Sequence, residues 1–282
     1  MGNLILNNNV VMPQVGIGTF LLEPNDAYNS VLNALKMNYR LIDTANAYMN
    51  ERSVGRAIKD SKIDRKEIFV STKLWPSEYE NENAVDETLE RLGLDYIDLL
   101  FIHQPTENWR SGYKQLVKAY QDGKIRSIGV SNFEGKYIDE LLNEFNAIPQ
   151  VIQVECHPFY PQDELRRVTN KKNIKLMSWY PLGGKGMTKD LLENKIIVDL
   201  ASKYHKTPAQ IVLKWHIEMG FIVIPGSKNA EHIKDNINLF DFNLTKDDMS
   251  QIDSLNNGQR RYIRTDEALK GFASWQPQYE EK

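Results

Sequence analysis

Short apolar runs recur along the chain, and most are separated by stretches with helical spacing. The runs fall at residues 14–18, 40–43, 68–73, 97–103, 125–130, 150–154, 174–178 and 221–224. They read as near-continuous hydrophobic segments rather than alternations, as strands covered on both faces of a parallel sheet do. Between the first two, Ala27, Val31, Ala34 and Leu35 follow the i, i+4, i+7, i+8 face of a helix. Further on, Thr207 stands at an N-cap with Pro208 at the first helical position and Gly220 just past the end. Thr245 and the acid three residues later form a variant of the capping box, and Gly93 and Gly123 mark helix ends. Eight strands alternating with helices predict a (β/α)8 TIM barrel of the α/β class, and 282 residues suit one such domain spanning 1–282. The opening "LILNNNVVMPQ" predicts an N-terminal β-hairpin at the barrel floor. After Gly258 the periodicity is weak, which predicts an extended C-terminal tail over the active-site face.

Composition narrows the function classes. The chain is 41% hydrophobic and 26% charged with a formal charge of -3, which argues against a nucleic-acid partner. No apolar run approaches the roughly 18 residues of a membrane span. The N-terminal segment has neither the basic start nor the apolar core of a signal peptide, so a cytoplasmic enzyme or binding protein is expected, and the absence of a long insertion after the fourth or seventh strand predicts a monomer. Cys156 is the only cysteine, which rules out an internal disulfide and a cysteine-built zinc site.

Candidate chemistry gathers where barrels place it, at the C-terminal ends of the strands. The second strand ends on Asp43, with Tyr48 in the loop beyond. The third ends on Lys73 and the fourth on His103. Ser131 and Asn132 follow the fifth, Gln153 to Glu155 close the sixth, Trp179 closes the seventh, and Ser227 and Lys228 follow the eighth. A lysine between a carboxylate and a phenol is paired by the first and polarises the second. Its charge would lower a phenol pKa of about 10 and let Tyr48 act as a general acid toward a developing alkoxide. His103 would then orient the carbonyl oxygen as a hydrogen-bond donor. The protein offers no hydride of its own, so the reducing equivalent must come from a cofactor.

The motifs "GIGTF", "LIDTANAY", "STKLW", "DLLFIHQP", "GVSNF", "QVECHP" and "IPGS" together resemble the aldo-keto reductase family, in order, from about Val10 to Leu255. Bacterial-type members with similar motifs include diketogluconate and glyoxal reductases. The resemblance implies NADPH-dependent (NADH as the alternative) reduction of a small carbonyl substrate on a barrel, without metal. It carries the catalytic tetrad onto Asp43, Tyr48, Lys73 and His103. It implies that Ser131, Asn132 and Gln153 bind the nicotinamide carboxamide, that Trp179 stacks on the ring, and that the backbone from Leu182 to Gly184 approaches the pyrophosphate. Thr19, Ser227, Lys228, His232 and Asn236 complete the expected cofactor set. Two departures stand out. Gly226 and His232 occupy positions that are basic in many NADP-preferring members, with Lys228 as a substitute charge. Gln104 and Phe20 stand where tryptophan is frequent, which predicts a more open and polar pocket walled by Trp75 and Trp275.

Each residue also has a plainer reading. Asp43 alone would be a strand-end acid bonded to backbone, Tyr48 a half-buried aromatic, and His103 a satisfied core histidine. Lys73 fits a plain reading worst, because a lysine ending an apolar strand needs a partner. A non-catalytic nucleotide-binding sensor or subunit on the same fold is the alternative function, and an intact tetrad weighs against it. A barrel hydrolase with paired carboxylates fits less well, since no second acid stands at a glycosidase spacing from Asp43. "GIGTFL" lacks the third glycine of a dinucleotide fingerprint, and "GGKGMTK" lacks P-loop spacing. Glu155, Cys156 and His157 are not expected to share a metal, because strand neighbours face opposite ways.

Overall fold

A computed structural model describes residues 2–281. Its strands are β1 (Asn3–Ile5), β2 (Val11–Pro13), β3 (Ile17–Gly18), β4 (Leu41–Asp43), β5 (Phe69–Leu74), β6 (Leu99–Ile102), β7 (Ile128–Ser131), β8 (Val151–Glu155), β9 (Lys175–Trp179) and β10 (Ile222–Val223). β3 to β10 pair in chain order, each parallel to the next. The sheet closes on itself beside β3 and β10. Val15 bridges to Val223, the Gly16 N–H donates to the Val223 carbonyl at 2.8 Å, and the Val223 N–H donates to the Gln14 carbonyl at 3.0 Å. The eight-stranded TIM barrel expected from the sequence is the fold.

Period-2 alternation divides the strand side chains into two separate cores. Ile42, Val70, Leu100, Val130, Ile152 and Leu176 face outward and pack beneath the helices. Leu41, Phe69, Leu99, Phe101, Val151, Met177 and Ile222 form a second cluster inside the barrel. Both faces are buried, which explains why the strands read as continuous apolar runs. Inside, space is tight: a Cβ at Gly129 would lie 2.3 Å from the Phe101 ring. The β1–β2 hairpin covers the floor, with Leu6 and Met12 joining the inner cluster.

The helices form where the pattern placed them. The one at Pro24–Lys36 buries Ala27, Val31, Ala34 and Leu35. Those at Pro208–Glu218 and Lys246–Asp253 open on complete capping boxes, Thr207 with Gln210 and Thr245 with Asp248. The tail departs from expectation. It is not wholly extended: a helix runs over Asp266–Ser274, capped by the Thr265 side chain, which accepts from the Ala268 N–H. The start signal was present, a threonine followed by two acids in the first turn, and the neighbouring irregular sequence obscured it. Among the described residues no helix is long and apolar enough to cross a membrane.

Candidate active site

Beyond the inner apolar cluster, the same inward positions turn polar. β4 carries Leu41 and then Asp43 on this face; β5 carries Phe69, Ser71 and Lys73. Lys73 is 0% exposed and Asp43 1%. An ammonium so buried must be paired and hydrogen-bonded. Lys73 Nζ donates to Asp43 Oδ2 at 2.7 Å and to the Thr44 carbonyl at 2.7 Å. Asp43 Oδ1 accepts from Ser71 Oγ at 2.8 Å and from Gln153 Nε2 at 3.1 Å.

Tyr48 reaches this pair from a short 3-10 turn, Asn46–Tyr48, after which Met49 turns left-handed at φ 54°. Two residues that begin the following helix hold the turn. Asn50 Nδ2 donates to the carbonyls of Thr19 (3.0 Å) and Leu22 (2.9 Å), while its Oδ1 accepts from the Thr44 hydroxyl at 2.8 Å. The buried Glu51 carboxylate accepts from Asn46 Nδ2 (3.1 Å), Thr72 Oγ1 (2.6 Å) and Arg91 Nε (2.7 Å). Thus Asn50 and Glu51 open the helix Glu51–Ser61 and also build the platform for Tyr48. Lys73 Nζ lies 4.7 Å from the centroid of the Tyr48 ring. His103, just past β6, stands edge-on to Tyr48 with centroids 5.8 Å apart, and its Nδ1 is buried without a partner.

The electrostatics correct one expectation. Burial raises the Tyr48 phenol well above its ordinary range, and the Asp43 charge pushes it further up, so Lys73 does not bring it down. Desolvation outweighs the cation because Asp43 neutralises much of the lysine's field. Burial, then the Lys73 charge, depresses the His103 imidazole well below its usual value, which leaves the ring neutral. Burial also lowers Lys73, with Asp43 opposing. Tyr48 therefore rests protonated.

Rings enclose the mouth. Phe20 meets Tyr48 at 5.0 Å, His103 meets Trp75 at 5.0 Å, and Trp75 meets Phe272 of the tail helix at 5.4 Å. The circuit returns through Tyr262, Trp179 and Tyr180, which contacts Phe20 at 6.0 Å. Trp75 also packs on Trp275 at 5.2 Å and donates its indole N–H to the Trp275 carbonyl at 2.9 Å. The rim is thus more aromatic and less polar than Gln104 and Phe20 led one to expect. Gln104 is itself buried, its Oε1 accepting from Asn132 Nδ2 at 3.2 Å. Tyr180, Tyr262 and Phe272 were missed in the sequence, where a ring in a loop or tail carries no periodic signal.

The expected cofactor residues fall into two groups. In the first, Trp179 Nε1 donates to Asn132 Oδ1 at 3.1 Å, and the Asn132 N–H donates to the Gln153 carbonyl at 2.9 Å. Ser131 is buried at the end of β7, and Asn132 holds φ 65°. Thr19 is buried below, its hydroxyl donating to the Asp43 carbonyl at 3.2 Å. Past Trp179, Leu182 leads into Gly183 and Gly184, both left-handed at φ 85° and 70°, where a side chain would be strained. The backbone there is bare, and a Cβ at Gly184 would strike the Tyr180 ring at 2.4 Å. The second group lies past β10. Ser227 Oγ accepts from the Asn229 N–H, Lys228 is 73% exposed and pairs with Asp26 at 3.6 Å, His232 is exposed, and Asn236 is buried. A half-exposed indole, polar strand ends and a bare glycine backbone suit a nicotinamide dinucleotide. Glu155 and His157 do meet, at 3.0 Å, while Cys156 lies in the outer core.

Comparison with known proteins accords with this geometry. The sequence model of the Aldo/keto reductase family matches residues 14–257. A glyoxal reductase of Bacillus subtilis is 42% identical, covering 94% of this chain and 96% of its own length. The methylglyoxal reductase DkgA of Escherichia coli is 38% identical, covering 90% and 94%. The crystal structure of MGS-M4, an aldo-keto reductase from a deep-sea metagenome library, superposes with a TM-score of 0.89 at 44% identity, covering 92% of this chain and 97% of that one. The barrel, the polar mouth and these matches agree: the chain belongs to the aldo-keto reductase family of carbonyl-reducing oxidoreductases.

Proposed function

We propose that the chain reduces a small aldehyde or ketone with NADPH, and that Tyr48 is the proton donor. The reading rests on one observation above all: a fully buried Lys73–Asp43 pair set against a neutral, half-buried Tyr48. When bound, the reduced nicotinamide supplies a hydride to the carbonyl carbon. The Tyr48 hydroxyl delivers its proton to the carbonyl oxygen as negative charge grows there, so the C=O becomes an alcohol and the phenol a phenolate. Lys73, whose Nζ lies 4.7 Å from the centre of the Tyr48 ring, stabilises that phenolate, and Asp43 fixes the lysine in place. Neutral His103 orients the same oxygen through a ring N–H without competing as an acid. Trp179 offers a flat face for the nicotinamide; Ser131, Asn132 and Gln153 offer polar groups for its carboxamide.

On this reading Lys228 supplies the charge for a 2′-phosphate, since Gly226 cannot. A Cβ at position 226 would already lie 2.9 Å from the Gly18 carbonyl oxygen. The test is cofactor consumption across a panel of glyoxals, simple aldehydes and keto acids, with NADPH and NADH in parallel. Substrate-dependent oxidation with higher kcat/KM for NADPH supports the reading. No consumption with any carbonyl would defeat it, and equal efficiency with both cofactors would defeat the role of Lys228.

A further inference from the structure

Glu155, at the end of β8, takes no part in this chemistry, yet it is 0% exposed beside the mouth. A carboxylate buried there needs donors. Two come from the tail, 106 residues onward: the Arg261 N–H donates to Oε1, and the Tyr262 N–H donates to Oε2 at 2.8 Å. The strand end is itself fixed. His157 Nε2 lies 3.0 Å from Oε1, and Gln162 Nε2 donates to the Glu155 carbonyl at 2.7 Å.

Two consecutive amides clasped by one carboxylate set the ring that follows. Tyr262 stands 6.3 Å from Trp179 and 6.4 Å from Phe272, joining the nicotinamide side of the mouth to the tail helix. The tail then crosses the mouth and is fastened again. The Glu280 carboxylate accepts from the Ser53 N–H at 3.0 Å and from the Ser53 hydroxyl at 2.5 Å, on the helix that follows β4. β4 and β8 are four strands apart in an eight-stranded barrel, so the two anchors face each other across it.

We propose that Glu155 is a positioning residue for carbonyl reduction, clasping the backbone at residues 261–262 so that the tail lies across the mouth and walls the substrate site. The proposal rests on the reductase reading for its kinetic consequence. Glu155 makes no hydrogen bond to the tetrad, so loosening the clasp weakens substrate binding and leaves the chemical step alone.

The test uses the full-length protein. Glu155→Gln replaces one acceptor oxygen with a donor, and Arg261→Pro deletes one donated N–H from the other side of the same contact. Arg261→Ala keeps that N–H and serves as control. Losing one charge-assisted hydrogen bond should raise KM for an aldehyde about tenfold in the first two variants, with kcat within about threefold of wild type and the control unchanged. Trypsin reads the clasp without reference to activity: cleavage at Arg260, Arg261 and Arg264 should be slow in wild type and at least tenfold faster in Glu155→Gln. Unchanged KM in both variants, an equal KM rise in Arg261→Ala, or unaltered tryptic cutting each overturns the proposal. If wild type reduces no carbonyl, the reductase reading fails, and the tryptic comparison still decides whether Glu155 holds the tail.

Discussion

The two ends of the barrel are built from the same strands, on the same inward face, at nearly the same burial, and they do opposite things. At the floor, Leu41, Phe69, Leu99 and Val151 fill the interior with hydrocarbon under the β1–β2 hairpin. Two residues further along β4, β5 and β8 stand Asp43, Ser71 and Gln153, with Lys73 beyond Ser71; on β6 the apolar lining continues to Phe101. Floor positions lower the free energy of the fold by removing apolar area from water. The mouth keeps ions out of water, which is tolerable only because every one is paired, and the result is a protonated Tyr48 held beside a buried cation. Chemistry therefore separates toward the mouth: a substitution there should cost turnover as well as stability, and one at the floor stability alone.

The largest expected effect is at the mouth. On the proposed mechanism Lys73→Met removes the charge that stabilises phenolate and strands Asp43 in the interior, so kcat should fall about 10³-fold. The same change should cost about 3 kcal/mol of unfolding free energy, read by urea denaturation. At the floor, Leu99→Ala should cost about 3 kcal/mol while leaving kcat within a small factor of wild type, because the cavity opens away from the tetrad. If Leu99→Ala abolished turnover at temperatures where the fold persists, the separation would be wrong.

A third test lies behind the mouth, in the outer core. His216 is buried with its nitrogens 2.8 Å from the Val212 carbonyl and 3.0 Å from the Cys156 carbonyl. Burial pushes its pKa down to about 4, although both carbonyls favour the cation. The folded state binds a proton less readily than the unfolded chain. His216 thus contributes full stability above about pH 6.5 and loses it as pH falls toward 4, by up to ~3 kcal/mol. His216→Gln should flatten the unfolding midpoint against pH across that window. The smallest effect is expected at Gly129→Ala, whose Cβ would press on Phe101; about 2 kcal/mol should be lost, visible as a lower Tm.

Much of this was legible in the sequence, for identifiable reasons. A strand buried on both faces leaves an uninterrupted apolar run, so β5 and β6 stood out, and a polar residue ending such a run, as Lys73 does, is conspicuous. The hairpin showed in "NNN" between two apolar segments. What stayed hidden depends on contacts between distant segments. Nothing near Glu155 in the chain announces that its partners are the amides of Arg261 and Tyr262. Glu51 carried no sequence signal of its role, because its partners Thr72 and Arg91 lie on other elements. The direction of the Tyr48 shift was misread for a related reason: a neighbouring lysine can be inferred from sequence, whereas the depth of burial that outweighs it cannot.

The proposed donor, Tyr48 beside the buried Lys73–Asp43 pair, is probed with least disturbance by Tyr48→Phe. This variant removes one oxygen and keeps the ring that packs on Phe20 and His103. Fluorescence titration with NADPH and steady-state turnover of a glyoxal should be measured on the same preparation. With Tyr48 as the donor, cofactor affinity should stay within a few-fold of wild type and kcat should fall by about 10³ or more. Wild-type kcat with unchanged cofactor affinity would contradict it.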